Sequence, residues 1–141
     1  MSQLIITQRE FQELAEKRLV EAKALLDQVM WDGAYYLAGY AVELALKSCI
    51  IKLLMATDAF PDNKVEYYVH AATVLVKLAK LDGSLAAAAD ADPIFKDNWI
   101  LVKDWSEQKR YHRVDKSEAE ELYNAISEGG HGVLSWIKTQ W

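Results

Sequence analysis

Residues 34–55, with the sequence AYYLAGYAVELALKSCIIKLLM, decide the fold of this chain. The stretch is apolar on nearly every side, and its only charged residues are Glu43, Lys47 and Lys52. A helix of this kind has to be surrounded by protein. A membrane span is a poor alternative, because Glu43 and Lys47 lie near the middle, where each charge costs about 2.5–3.5 kcal/mol to insert. The stretch therefore predicts the central helix of a bundle, with a second apolar face suited to another subunit.

The composition is that of one folded globular domain covering residues 1–141. Hydrophobic residues make up 52% of the chain and charged residues 26%, as in ordinary folded domains. The net charge of -5 argues against a surface devoted as a whole to nucleic acid. The single cysteine, the lack of metal-ligand spacing and the lack of a secretory signal predict a cytoplasmic protein without a metal or cofactor.

The first helix is predicted over residues 7–30. Thr7 and Glu10 have the spacing of a capping box, in which each side chain satisfies a free amide at the start of a helix. Asp32 and Gly33 are predicted to break the chain before the central helix, because glycine tolerates a positive φ.

The remaining sequence predicts further helices and no strand. A third helix is expected over residues 66–81 and ended by Asp82 and Gly83, and a short one over residues 84–90. A fourth long helix is expected from Pro93, a fifth from a capping box of Ser117 and Glu120, and a short terminal helix over residues 133–141. Together they predict an all-α, up-and-down four-helix bundle with additional short helices.

Four blocks of the sequence resemble a known family. Residues 18–22 (RLVEA) and 31–47 (WDGAYYLAGYAVELALK) resemble the opening helical hairpin of HEPN domains, the "higher eukaryotes and prokaryotes nucleotide-binding" family. Residues 105–111 (WSEQKRY) and 132–138 (GVLSWIK) are similar to the tail of its short, stand-alone bacterial branch. The resemblance covers residues 11–141. It implies a helical bundle that is usually a homodimer, often encoded beside a small nucleotidyltransferase as a toxin–antitoxin pair.

The catalytic motif of that family is not found here. Many members cut RNA without a metal, using an arginine that is followed by a histidine after four to six intervening residues. None of Arg9, Arg18, Arg110 and Arg113 has a histidine at that distance, and His112 lies between the last two. Since histidine is the usual proton carrier near neutral pH, nuclease activity does not carry over from the resemblance.

A basic, aromatic-containing segment follows the fourth helix. It contains Lys109, Arg110, Tyr111, His112, Arg113 and Lys116 in an otherwise acidic protein. Arginine forks pair with phosphate and tyrosine can stack on a base, so the segment suits RNA or a nucleotide. The alternative interpretation is a solvated connection between two helices.

A polar strip is predicted on the central helix. Glu43 and Lys47 are four residues apart and therefore share a face, with Tyr36 and Tyr40 on the same side one and two turns earlier. One interpretation is a buried ion pair that fixes the register of the bundle or of a dimer. The other is a ligand cleft lined by these tyrosines, Glu43 and Arg110.

Three functional hypotheses follow. The first is a dimeric HEPN-like domain that binds a nucleotide, RNA or a partner protein, with a nucleotidyltransferase as the obvious partner. The second is a metal-independent ribonuclease that uses Arg110 and His112, and the third is a structural helical adaptor. Of the remaining candidates, His70 is interpreted as a packing or capping residue, His131 as a turn residue and Cys49 as an inert core thiol.

Overall fold

The computed structural model describes residues 7–55, 70–106, 108 and 111–141, and these residues are all-helical, without a strand. The elements are α1 (Gln8–Asp27), α2 (Trp31–Met55), α3 (Ala72–Leu78), α4 (Asp82–Ala91), α5 (Pro93–Lys103), α6 (Lys116–Ser127) and α7 (Val133–Lys138). Within the described part of the chain, no helix is long and apolar enough to cross a membrane.

Helix α2 is the centre of the molecule, as its composition predicts. It packs against α1, α3, α6 and α7, and every residue from 41 to 51 is buried. A single chain is sufficient for this enclosure, so burial of α2 does not require the second subunit suggested by its apolar faces.

Helix α1 begins with the predicted capping box. The Thr7 hydroxyl accepts a hydrogen bond from the Glu10 amide at 3.1 Å, and the Glu10 carboxylate accepts one from the Thr7 amide at 3.4 Å. Phe11, Ala15 and Ala22 are the buried residues of α1.

The predicted break at Asp32 and Gly33 is wrong by a few residues, because the turn lies at Val29. Val29 adopts a left-handed conformation with φ 56, and its amide donates to the Leu26 carbonyl. The Met30 amide donates to the Leu25 carbonyl, which completes a Schellman motif. Gly33 lies in the first turn of α2 and has no positive φ.

The predicted end of the third helix is corrected in the same way. Lys80 has φ 57, and the Lys80 and Leu81 amides close a second Schellman motif on the Lys77 and Val76 carbonyls. Asp82 and Gly83 therefore open α4 and do not end α3. The predicted start of the third helix at residues 66–69 lies outside the described residues.

The start of α5 is confirmed and the cap of α6 is corrected. Asp92 caps α5 by accepting from the Ile94 and Phe95 amides, with Pro93 in the first turn. Helix α6 is capped by Asp115, whose carboxylate accepts from the Glu118 amide at 2.8 Å. The capping box predicted at Ser117 does not form, because Asp115 satisfies that end of the helix two residues earlier.

Candidate functional site

The predicted polar strip lies on one face of α2. Tyr36 and Tyr40 are half-buried, and their rings are parallel within 7° with centroids 6.1 Å apart. Glu43 and Lys47 continue the same face because the spacings of four, three and four residues return the helix to one side. The strip thus leads from the partly exposed tyrosines into the protein interior.

Glu43 is the most deeply buried charge of the strip. Its side chain is 1% exposed, and its Oε2 accepts a hydrogen bond from Lys47 Nζ at 2.9 Å. The Nδ1 of His70 lies 2.9 Å from the same oxygen. The buried ion pair predicted from spacing is therefore present, with a histidine added.

His70 was interpreted from the sequence as a packing or capping residue, and its contact with Glu43 was not foreseen. It precedes α3 and is 27 positions from Glu43, so no local spacing joins the two residues. The available signal was indirect: a buried carboxylate beside one lysine requires further hydrogen-bond donors.

Trp105 packs against the same face of α2. Its indole lies directly over Gly39, where an added Cβ would come within 2.3 Å of Nε1 and of two ring carbons. The ring of Tyr36 is 5.8 Å away at an angle of 38°. Glycine at position 39 is therefore required by this close approach, and the side chains of Tyr36, Tyr40 and Trp105 form one aromatic cluster.

The electrostatics of Tyr40 show which charges are near the aromatic cluster. Burial raises the pKa of the Tyr40 hydroxyl, Glu43 and Tyr36 raise it further, and the positive charge of Arg18 on α1 opposes them. Arg18 also forms an ion pair with Glu21. Arg18 is therefore near enough for its charge to act on the Tyr40 hydroxyl, although sequence reasoning did not assign Arg18 to the site.

The basic segment is attached to the first turns of α2. Tyr111, His112 and Arg113 are exposed, whereas Lys109 and Arg110 lie outside the described residues. The Val114 amide donates to the Asp32 carboxylate at 2.6 Å. Arg113 also lines a pocket of about 390 Å³ with Val114, with the turn before α2 and with the first turn of α2, namely Val29, Met30, Trp31, Asp32 and Gly33.

Trp105 and Val114, which flank the basic segment in the sequence, both contact α2. Trp105 contacts α2 at Gly39 and Val114 contacts it at Asp32, which is about 10 Å earlier along the helix axis. The chain between them therefore begins and ends beside the part of α2 that carries Tyr36. Of the residues predicted to line a ligand cleft, Tyr36, Tyr40 and Glu43 share one face of α2, whereas Arg110 lies outside the described residues.

A second polar cluster joins the start of α5 to the turn before α7. The Nδ1 of His131 bonds the Asp92 carboxylate, and the carboxylate of Glu128 accepts from the Gly130 and His131 amides. The bond to Asp92 raises the pKa of His131, and the bond from His131 lowers the pKa of Asp92. His131 is in a turn, as predicted, but its contact with Asp92 was not foreseen.

Cys49 matches its interpretation as a core thiol. It is buried in α2, and burial raises the pKa of the thiol to about 11. Across the described ranges there is no group of three His, Cys, Asp or Glu side chains able to hold a metal ion.

Comparison of the chain with protein-family models, with curated proteins and with solved structures finds no match.

Proposed function

We propose that this chain is a small HEPN-like domain that binds RNA or a nucleotide at the polar face of α2 and performs no chemistry of its own. The observation that carries the proposal is the aromatic cluster of Tyr36, Tyr40 and Trp105 on the helix whose Asp32 carboxylate binds the Val114 amide, at the end of the basic segment.

The chemistry of this face suits a nucleotide. Bases stack on aromatic rings, with about 1–3 kcal/mol per base at single-stranded sites. Arginine and lysine side chains, here Arg18, Arg113 and the neighbouring Lys109 and Arg110, pair with phosphate oxygens. Because the whole chain is acidic, we expect the RNA or nucleotide to contact a small area and to leave most of the protein surface uncovered.

The described histidines favour binding over catalysis. His70 contacts Glu43 and His131 contacts Asp92, and no arginine precedes either histidine at the family's catalytic spacing. His112 is exposed and two positions from Arg110, which is not the family's catalytic spacing. In the same proposal α1, α2, α5 and α6 form the four-helix bundle, the protein is a homodimer in solution, and a nucleotidyltransferase is its protein partner.

The direct test is binding of a fluorescently labelled, single-stranded RNA, measured by anisotropy in EDTA and low salt. The double variant Tyr36→Leu, Tyr40→Leu is expected to weaken binding at least about tenfold, because it removes two stacking surfaces. Tyr123→Leu is the matched control, since Tyr123 is half-buried on α6 in a groove with Val20 and Leu134. Equal losses in both variants, or none in either, would contradict the proposal.

The same sample distinguishes the alternatives. RNA degradation in EDTA that is abolished by Arg110→Ala and His112→Ala would establish the ribonuclease in place of the binding domain. Light scattering checks the homodimer, and a species of one chain's mass, 16.0 kDa, at high concentration would refute that part of the proposal.

A further inference from the structure

Two buried polar atoms on the polar face of α2 have no hydrogen-bond partner in the described part of the chain. One is Oε1 of Glu43, an acceptor, and the other is Nε1 of Trp105, a donor. Leaving such a group unpaired in the interior destabilises the fold, and more so when the group is charged. Native proteins contain few of these atoms, so two in one site require an explanation.

The two atoms belong to one small region. Trp105 Nε1 lies over the Cα of Gly39, and Glu43 is one helical turn further along the same face. Side chains on a helix lean towards its N-terminus, so the Glu43 carboxylate extends back towards Gly39. The donor therefore lies at Gly39 and the acceptor belongs to the residue one helical turn later on the same face, and neither atom has a hydrogen-bond partner in the described part of the chain.

Glu43 is held in one orientation by its other oxygen. Oε2 is bonded by Lys47 and by His70, and these contacts come from two different parts of the chain. Trp105 is similarly fixed, because its ring lies between Gly39 and Tyr36. A donor and an acceptor that are fixed in advance are typical of a site that recognises a polar edge.

We infer that Glu43 Oε1 and Trp105 Nε1 recognise the edge of a nucleobase, accepting from its N–H group and donating to the acceptor beside it. The inference rests on the proposed function. In adenine these groups are the exocyclic amine and the adjacent ring nitrogen. The rings of Tyr36 and Tyr40 are half-buried on this face, so the base enters beside them and stacks against them. The base, and not the phosphate, is therefore the part of the ligand that reaches the interior.

The test compares adenosine monophosphate with purine riboside monophosphate, which lacks only the amino group, by NMR titration of the full ¹⁵N-labelled chain. Adenosine monophosphate is expected to bind about tenfold more tightly, the difference of one hydrogen bond to a charged group. The Trp105 indole N–H signal, identified by its loss in Trp105→Phe, should move downfield. The Trp136 signal is the control and should stay, because Trp136 is on α7 against Phe95. Glu43→Gln should remove the preference between the two nucleotides.

Several results would overturn the inference. Equal affinity for the two nucleotides excludes a role of Glu43 in recognising the amine, and an unmoved Trp105 signal at saturation excludes a role of the indole. If either occurs while the tyrosine-dependent RNA binding persists, the base-edge inference fails and the proposed function stands. If neither nucleotides nor RNA bind, both fail.

Discussion

At the scale of the residue, the described structure concentrates its unusual chemistry in a few side chains. Glu43 is buried with Lys47 and His70 on one oxygen, an arrangement that costs desolvation energy and is seldom retained for stability alone. Lys47 is four residues away and could be predicted as a partner of Glu43, because helix geometry places residues at this spacing on the same face. His70 is 27 positions away and could not be predicted as a partner of Glu43, because this contact depends on the tertiary fold.

The cluster of Asp92, Glu128 and His131 predicts a pH-dependent stability. The pKa of His131 is raised from its ordinary value of 6.5. The stability that protonated His131 gives the fold is therefore complete below pH 6.5 and is lost as the pH rises through the raised pKa. The pKa values of Asp92 and Glu128 are lowered from 3.8 and 4.5, so their contributions are complete above those values and are lost as the pH falls through the lowered ones. We expect this contribution to be largest between about pH 4.5 and 6.5.

Thermal unfolding of Asp92→Asn across pH 4 to 9 measures this contribution. Asparagine retains the oxygen that caps α5 but loses the charge that faces His131. The fall in Tm on the alkaline side should therefore become shallower in this variant. Asp115→Asn makes the same change at the α6 cap, and an identical flattening there would show that His131 is not the cause.

At the scale of the element, two helices end on residues that do not favour the conformation they adopt. Val29 and Lys80 both occupy the left-handed position of a Schellman motif, which is usually glycine. Gly33 and Gly83 lie a few residues later, in the first turns of the next helices. The two breaks therefore lie at Schellman motifs without glycine, so the positions of the glycines alone predict them a few residues too late.

Val29→Gly is expected to stabilise the protein by about 1 kcal/mol, because a left-handed non-glycine residue is strained by about that amount. Val20→Gly is the matched control: Val20 is 70% exposed against 68% for Val29, but it lies inside α1. There glycine should destabilise by about 0.5 kcal/mol through its lower helix propensity. Urea denaturation gives both values, and changes of the same sign would show that Val29 is not strained.

Helix starts were easier to predict than helix ends. Thr7 with Glu10, and Pro93 after Asp92, are local signals whose hydrogen bonds form within one turn, and the structure has both. Ser117 and Glu120 also have the spacing of a capping box, but this prediction was wrong, because Asp115 caps the same end of α6. Local capping chemistry therefore predicts the presence of a helix better than its first residue.

At the scale of the whole molecule, the fold class followed from one stretch of sequence and the site did not. The apolar circumference of α2 predicts an enclosed helix, and residues 41–51 are buried without interruption. The candidate site instead combines residues of α1, α2, the segment before α3 and the segment after α5, here Arg18, Glu43, His70 and Trp105. No sequence periodicity connects positions so far apart, so these residues can be assigned to one site only from the folded structure.

We expect RNA to contact the protein at the polar face of α2. The most direct measurement is ultraviolet cross-linking of a single-stranded RNA containing 4-thiouridine, followed by mass spectrometry of the modified peptides. We expect adducts on Tyr36, Tyr40 or Trp105. Adducts confined to Tyr123, Trp136 or Trp141, or no adduct at saturating RNA, would contradict it.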